Sequence, residues 1–571
     1  MPGRSLPQLL VLLWTAAALA DQQSARPLLG TASLEGVVID SASGEPVPGV
    51  TVHLSLPLDE STTFGFGPSG GVVIGTTEAA AGPVMTDGRG RFRFVELPAG
   101  HYELGAYGAG GTSRFGARTN PQHGRLVSLA DGQRRSVELR LMRSAMLTGR
   151  VTDERGEPIA GMPVRAVSLV PVGVPDYLTA GFSDDRGIYS LSVAAGDYVV
   201  AALPFTASIS NQTLARPVDG KPAVYVTTFH PRGQSRAEGA LIRVAAGERR
   251  AGLDIQLRPQ PAFRISGRFA APEFKTGFEY VELVQLADGR DEQKPIGRLS
   301  RRGGQLNIAG VPAGQYRLRA LIPPVMPWVT HGIPPLRTLP PDPTLWVDVP
   351  ITVVDQDVVD LDVRPLEGVR FSGAVVFDGQ EPPLEKLQNW PLVVERAGDS
   401  RVDLRGAYTS LKQFATIQLP PGEYFVRPMV RDGWFLKSVI AGGRDVIDGA
   451  IELSGAARDD LMITFTDRPA RIAGAVTQPA GGDPFRAWVI VFPAERDRWT
   501  PGILLGRVAM ILTGRSAAYD ATLPPGQYHV AALDGMPAIP FDFGTLAGRA
   551  ETVTLVSGST VTRNLRLVEM K

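Results

Sequence analysis

Apolar and polar residues alternate at period two through much of the chain. RFRFVEL (Arg91 to Leu97), YELGAYG (Tyr102 to Gly108), VELRL (Val137 to Leu141), VYVTTF (Val224 to Phe229), LDIQL (Leu253 to Leu257) and YRLRALI (Tyr316 to Ile322) read as half-buried strands. Few stretches of ten or more residues carry a 3.6-residue stripe with caps. The turn chemistry agrees. In Leu97-Pro98-Ala99-Gly100, Pro takes the second and Gly the fourth place of a type I turn. TDGRGRF (Thr86 to Phe92) and SDDRGIY (Ser183 to Tyr189) offer the Asp and Gly that left-handed hairpin positions need.

Three markers recur in fixed order. An apolar-Gly-apolar opening stands at Gly36, Gly149, Gly267, Gly373 and Gly474. A turn into a strand follows in LPAGHYEL, VAAGDYVV, VPAGQYRL, LPPGEYFV and LPPGQYHV, with glycines at Gly100, Gly196, Gly314, Gly422 and Gly526. A closing hairpin ends each set, as in LVSLADGQRRSVELRL and IRVAAGERRAGLDIQL. Opening and turn glycines are 64, 47, 47, 49 and 52 residues apart, and openings recur every 101–118 residues. The long first spacing contains a Gly-rich insertion near Pro57 to Pro83. A period this long predicts five units that each own a core, unlike the short repeats of solenoids. About seven short strands per ~100 residues predict all-β, two-sheet Greek-key sandwiches of the transthyretin or immunoglobulin kind. The expected units are 34–142, 145–258, 262–366, 369–467 and 470–569, the third with a Pro-rich insertion at 323–350. Junctions fall near 143, 260, 367 and 468.

The first two units carry more. GVVIDSASGEPVPGVTV with TDGRGRFRFVELPAGHYELGA, and GRVTDERGEPIAGMPVRAV with SDDRGIYSLSVAAGDYVVAA, resemble the carboxypeptidase regulatory-like domain. That family is a transthyretin-type sandwich grouped with carbohydrate-binding-like folds. Units three to five keep the opening Gly and the turn Tyr and are joined to the resemblance through the repeat. The resemblance implies an extracellular accessory or binding module and brings no catalytic residue with it.

The N-terminus adds an export signal. Arg4, the apolar run Leu9 to Ala18 and Ala18-Leu19-Ala20 form the three regions of a signal peptide at 1–20, cleaved after Ala20 so that the mature chain begins at Asp21. The expected location is secreted or periplasmic. The run is too short to span a bilayer, and no later stretch reaches about 18 apolar residues. The C-terminal LRLVEMK carries neither a wall-sorting motif nor a terminal aromatic strand.

Composition mainly removes chemistries. There is no cysteine, which excludes disulfides, thiol catalysis and thiolate metal sites; a large exported chain without disulfides points to a bacterium. Gly and Pro make up almost 20% of residues against a typical ~12%, as turn-rich β proteins require. Lys and Arg number 58 and Asp and Glu 58, with no basic stripe for nucleic acid. The first unit holds no Lys, which excludes Lys–Asn isopeptide welds there.

Few residues offer candidate chemistry. Gly67-Pro68-Ser69-Gly70-Gly71 matches G-x-S-x-G but lacks the strand and helix a nucleophile elbow needs. The six histidines, His53, His101, His123, His230, His331 and His529, show no zinc spacing. Asp355, Asp357, Asp360 and Asp362 could attract calcium, but they align with a closing hairpin and its exposed face. The turn tyrosines Tyr102, Tyr198, Tyr316, Tyr424 and Tyr528 read as core rings with hydroxyls on nearby backbone. Loop aromatics are left: Trp328 and Trp346 in the insertion, with Trp390, Trp434 and Trp499, while Trp488 in AWVIVF reads as core. Trp328, Trp346, Trp390 and Trp499 are the ligand candidates, since indole stacks well on sugars or prolines. The sequence therefore predicts a non-catalytic exported binding or structural protein, with no cofactor and no metal. Its partner would be a glycan or a cell-envelope protein. The alternative is an accessory or scaffolding subunit of an envelope hydrolase or transporter.

Overall fold

A computed structural model describes residues 30–57, 62–64, 78–117, 124–168, 180–204, 214–269, 280–287, 290–298, 305–322, 337–339, 344–397, 399–430, 433–477, 486–499, 506–514, 516–535 and 542–568. The signal-peptide reading, Ser69, His123, Trp328 and His331 fall outside them. The described chain is all-β: strand dominates, and its α-helices are the short segments Leu384–Leu387 and Phe543–Ala547. No described helix is long and apolar enough to cross a membrane.

The period-two stretches become strands with alternating burial, as in Arg91–Leu97 and Ile188–Val193. Their inward side chains collect into five large clusters. These draw their buried members from 32–141, 145–257, 263–363, 371–465 and 470–565, so none borrows a buried residue from its neighbour. Connections are short. Arg134–Arg143 passes into Ala145–Thr152, Ile255–Gln256 into Pro259–Phe269, and Arg458–Thr466 into Ala470–Thr477.

The opening glycines have one physical cause. In every repeat the opening strand runs parallel to the closing strand of that repeat: Ala32–Asp40 with Arg134–Arg143, Pro259–Phe269 with Val358–Val363, and Phe371–Asp378 with Arg458–Thr466, for example. At the glycine the two backbones nearly touch. A Cβ on Gly36, Gly149, Gly267, Gly373 or Gly474 would stand 1.8–2.3 Å from a carbonyl oxygen of that closing segment. Only glycine fits such an approach.

The Asp-Gly turns behave as their sequence predicts. Gly90 and Gly187 take φ of 73° and 72°. Asp87 Oδ1 accepts from the N–H groups of Arg89 and Arg91, and Asp184 Oδ1 from those of Arg186 and Ile188. The hydroxyls of Thr86 and Ser183 then clamp the preceding turn. Thr86 donates to Val47 O and accepts from Val50 N; Ser183 does the same with Ile159 O and Met162 N.

Candidate interaction surfaces

The five turn tyrosines are built alike. Each ring is buried, and each hydroxyl donates to the carbonyl four residues upstream. Tyr102, Tyr316, Tyr424 and Tyr528 bond Pro98, Pro312, Pro420 and Pro524 at 2.6–2.7 Å, and Tyr198 bonds Ala194 at 3.0 Å. The proline supplies an acceptor with a fixed backbone. These residues are structural pegs, as their sequence suggested.

The tryptophans mostly leave the surface. Trp390 is corrected as a ligand residue: at 1% exposure it sits in the fourth repeat's core, with its ring 5.2 Å from Phe465 and 6.1 Å from Trp434. The helical turn Leu384–Leu387 swings it inward ahead of the strand Leu392–Arg396. Trp434 is likewise core. Trp499 is half-buried, packed on Phe492 and Phe543, and its indole N–H donates to Pro493 O at 2.8 Å. Trp488 flanks the same cluster from a strand. The Pro323 to Pro350 insertion is not all loop, because Leu345–Val353 is a full strand paired with Gly314–Ile322. Trp346 lies on that strand and packs against the core of the fourth repeat.

The polar candidates are solvated or structural. His101 Nδ1 meets Ser128 Oγ at 2.8 Å, His230 Nδ1 meets Asp254 O at 2.7 Å, and His529 Nδ1 meets Thr552 Oγ1 at 3.2 Å. Asp355, Asp357, Asp360 and Asp362 are exposed; Asp357 accepts from Arg264 N, and Asp362 pairs with Arg364. Among the described residues no three His, Asp or Glu side chains are gathered for a metal.

Buried charge collects between repeats instead, and sequence reasoning missed it. Between the third and fourth repeats, Asp348 on the Trp346 strand faces Arg317 at 2.8 Å and Arg396 of the fourth at 3.7 Å. Between the fourth and fifth, Arg507 reaches Asp445 at 2.5 Å and Asp448 at 3.0 Å, with Arg498 at 3.6 Å from Asp448. Burial pushes the Asp448 carboxyl above its ordinary range, against the pull of Arg507. Between the fifth and first, Arg486 meets Glu103 at 3.3 Å, while Arg114 holds the other Glu103 oxygen at 2.6 Å. His53 lies in that same corner, its pKa held down by burial and then by Arg114.

Strands cross two borders, that between the second and third repeats and that between the fifth and first. The hairpin Leu214–Val218 and Lys221–Tyr225 of the second repeat adds to Pro259–Phe269 of the third, where Lys221 Nζ sits 5.5 Å over the Phe263 ring. Thr62–Phe64 of the first repeat pairs with Ala509–Leu512 of the fifth. The first repeat touches the second as well, through the N–H of Gly247, which donates to Arg143 O. Contacts thus pass from each repeat to the next and from the last back to the first.

No protein-family model matches the chain, and no curated protein matches it. The solved structures similar in part include these three. GBS52, the minor pilin of Streptococcus agalactiae, is 17% identical with a TM-score of 0.21, covering 43% of this chain and 99% of that one. The shaft pilin SpaA from Lactobacillus rhamnosus GG is 12% identical with a TM-score of 0.19, covering 40% and 96%. The Bacillus anthracis TIE protein is 11% identical with a TM-score of 0.15, covering 74% and 69%. At TM-scores of this size no common fold is defined, and the all-β class rests on this chain's own strands.

Proposed function

We propose that the chain is a non-catalytic exported structural protein of the bacterial cell envelope, a rigid array that holds surfaces at fixed spacing. Its five sandwiches would be carboxypeptidase regulatory-like domains at 34–142, 145–258, 262–366, 369–467 and 470–569, released after removal of residues 1–20. The observation that carries the reading is the way repeats join. Connections of a few residues, strands shared across borders and half-buried Arg–carboxylate groups leave little freedom between neighbours. An enzyme built from loops at a cleft has no need of such joints, whereas a spacer does.

A glycan partner is the narrower form of this proposal. Its candidate residues are Trp328, outside the described residues, and the half-buried Trp346 and Trp499, whose rings already rest on the protein. A glycan array read with the mature chain and with Trp328→Ala tests it: binding that survives the substitution removes Trp328, and no binding at all leaves the structural reading alone. Fractionation and N-terminal sequencing test export. A processed chain beginning at Asp21 is expected, and a cytoplasmic chain retaining Met1 would contradict it.

A further inference from the structure

We propose that the strand Ala509–Leu512 is an acceptor for the Thr62–Phe64 strand of a second copy of this chain, so that copies join by exchanging a contact each one makes within itself. The proposal stands on strand pairing and not on what the array binds.

The acceptor comes first. Ala509–Leu512 is paired on one side with Trp488–Pro493 and on the other with Thr62–Phe64, in the register Thr62↔Leu512, Thr63↔Ile511 and Phe64↔Met510. Without the donor it is an edge strand with a free row of backbone N–H and C=O groups. Edges are normally blunted by charge, proline or a bulge. The sequence Ala-Met-Ile-Leu carries no charge and no proline, and Ala509, Met510 and Ile511 are buried. Such an edge requires a partner strand.

The donor is attached in a way that permits exchange. Leu56 and Glu78, one before and one after the donor in sequence, are register partners in the ladder of Thr51–Leu56 with Glu78–Met85. The first repeat's own ladder therefore closes at Leu56–Glu78 whichever fifth repeat the donor meets. Backbone pairing of this kind recognises extended chain and not a particular molecule. The same ladder can form in trans, and the balance is set by copy concentration against the effective concentration within one chain. The adjacent pair Arg486–Glu103 has the same polarity, fifth repeat to first, and transfers with the strand. Donor and acceptor lie near opposite ends of the sequence, so the contact is heterologous and extends a row of copies or closes a ring.

The absence of cysteine makes engineered thiols a clean report. The double variant Thr62→Cys/Leu512→Cys is expected to close as a disulfide within one chain, fixing the register. Thr62→Cys and Leu512→Cys, mixed and oxidised, are expected to give a linked heterodimer. Its yield should rise with concentration and stand several-fold above that of Thr62→Cys mixed with Val556→Cys, an exposed fifth-repeat position away from the ladder. Adding Thr63→Pro to the donor should abolish the product, since proline cannot sustain the ladder. If the double variant closes while the mixed singles stay monomeric at every concentration, exchange is refuted. If the double variant fails to close, the pairing itself is refuted and the proposal falls with it.

Discussion

The turn-tyrosine sheets of the first and fifth repeats share one register and carry opposite outer faces. Leu54 lies across from Leu104 in the first and Val491 across from Val530 in the fifth, both pairs inside their cores. On the outer side, His53 and Gly105 take the places of Ile490 and Ala531. Ser55 and Glu103 take those of Phe492 and His529, and Thr51 and Tyr107 those of Trp488 and Leu533. The fifth repeat covers its apolar face with a second cluster, in which Ile490, Phe492 and Leu533 pack under Phe543 and Leu546. The small helix that supplies them, Phe543–Ala547, is started by Asp542, whose carboxylate accepts from Thr545 N. The first repeat leaves its face polar and uses it as a joint. Gly105 gives the His53 ring room, since a Cβ there would stand 2.4 Å from Nε2. One fold thus spends the same face on dry packing at one end and on an interface at the other.

Matched substitutions separate the two uses. Phe492→Ala empties a fully buried site and is expected to cost roughly 3–5 kcal/mol in chemical denaturation. Ser55→Ala, at the equivalent place, should stay within about 0.5 kcal/mol. Equal effects would mean that the outer faces do not differ as described. Glu103→Ala is expected to cost about 2–3 kcal/mol, below the ~3–5 of a fully buried pair because Arg114 keeps contact with water. The loss should be shared by Arg486→Ala and should not add in the double variant. Full additivity would show that the first and fifth repeats do not meet there.

Smaller effects sharpen the contrast. Tyr316→Phe removes a buried hydroxyl bond and leaves Pro312 O without its donor, for about 1–2 kcal/mol by denaturant midpoint. The smallest effect is a pH dependence. Burial holds the folded His53 pKa below its ordinary value of 6.5, so the unfolded chain binds the proton more readily. That contribution to stability is present above about pH 6.5 and is lost as the pH falls toward the folded pKa. Melting scans between pH 7.5 and 5.5 should show the loss, and His53→Gln should reduce it, with the remainder carried in part by His529 of the fifth repeat, whose pKa burial also lowers. A profile unchanged by His53→Gln would remove His53 from the account.

Period-two alternation, the five openings and the tyrosine turns were legible in the sequence because they are local or repeat-wide constraints. The parallel strand behind each opening glycine was not, since a glycine marks a close approach without saying to what. Trp390 does lie between elements, as its sequence suggests, but was misread as exposed. Its neighbours Asn389 and Pro391 signal a turn, and only the helical turn before it directs the ring inward. The joints were invisible for a different reason. A charged residue at an outward strand position is what any solvated face shows, so nothing in Glu103 or Asp348 marks a buried partner. The partner of Glu103 lies 383 residues away. Trp390 went inward because tryptophan fits a sandwich core as readily as a ligand site.

Separately packed sandwiches that touch in sequence, with the last returning to the first, fix the overall dimensions of the chain, and small-angle X-ray scattering of residues 21–571 reads those dimensions. Five bodies, each with a radius of gyration of about 13 Å, give roughly 30 Å when their contacts close on themselves and roughly 45–50 Å when set in line. The smaller value is expected, rising in the Glu103→Ala/Arg486→Ala variant as the joint opens. A value near 45–50 Å for the unaltered monomer would contradict it.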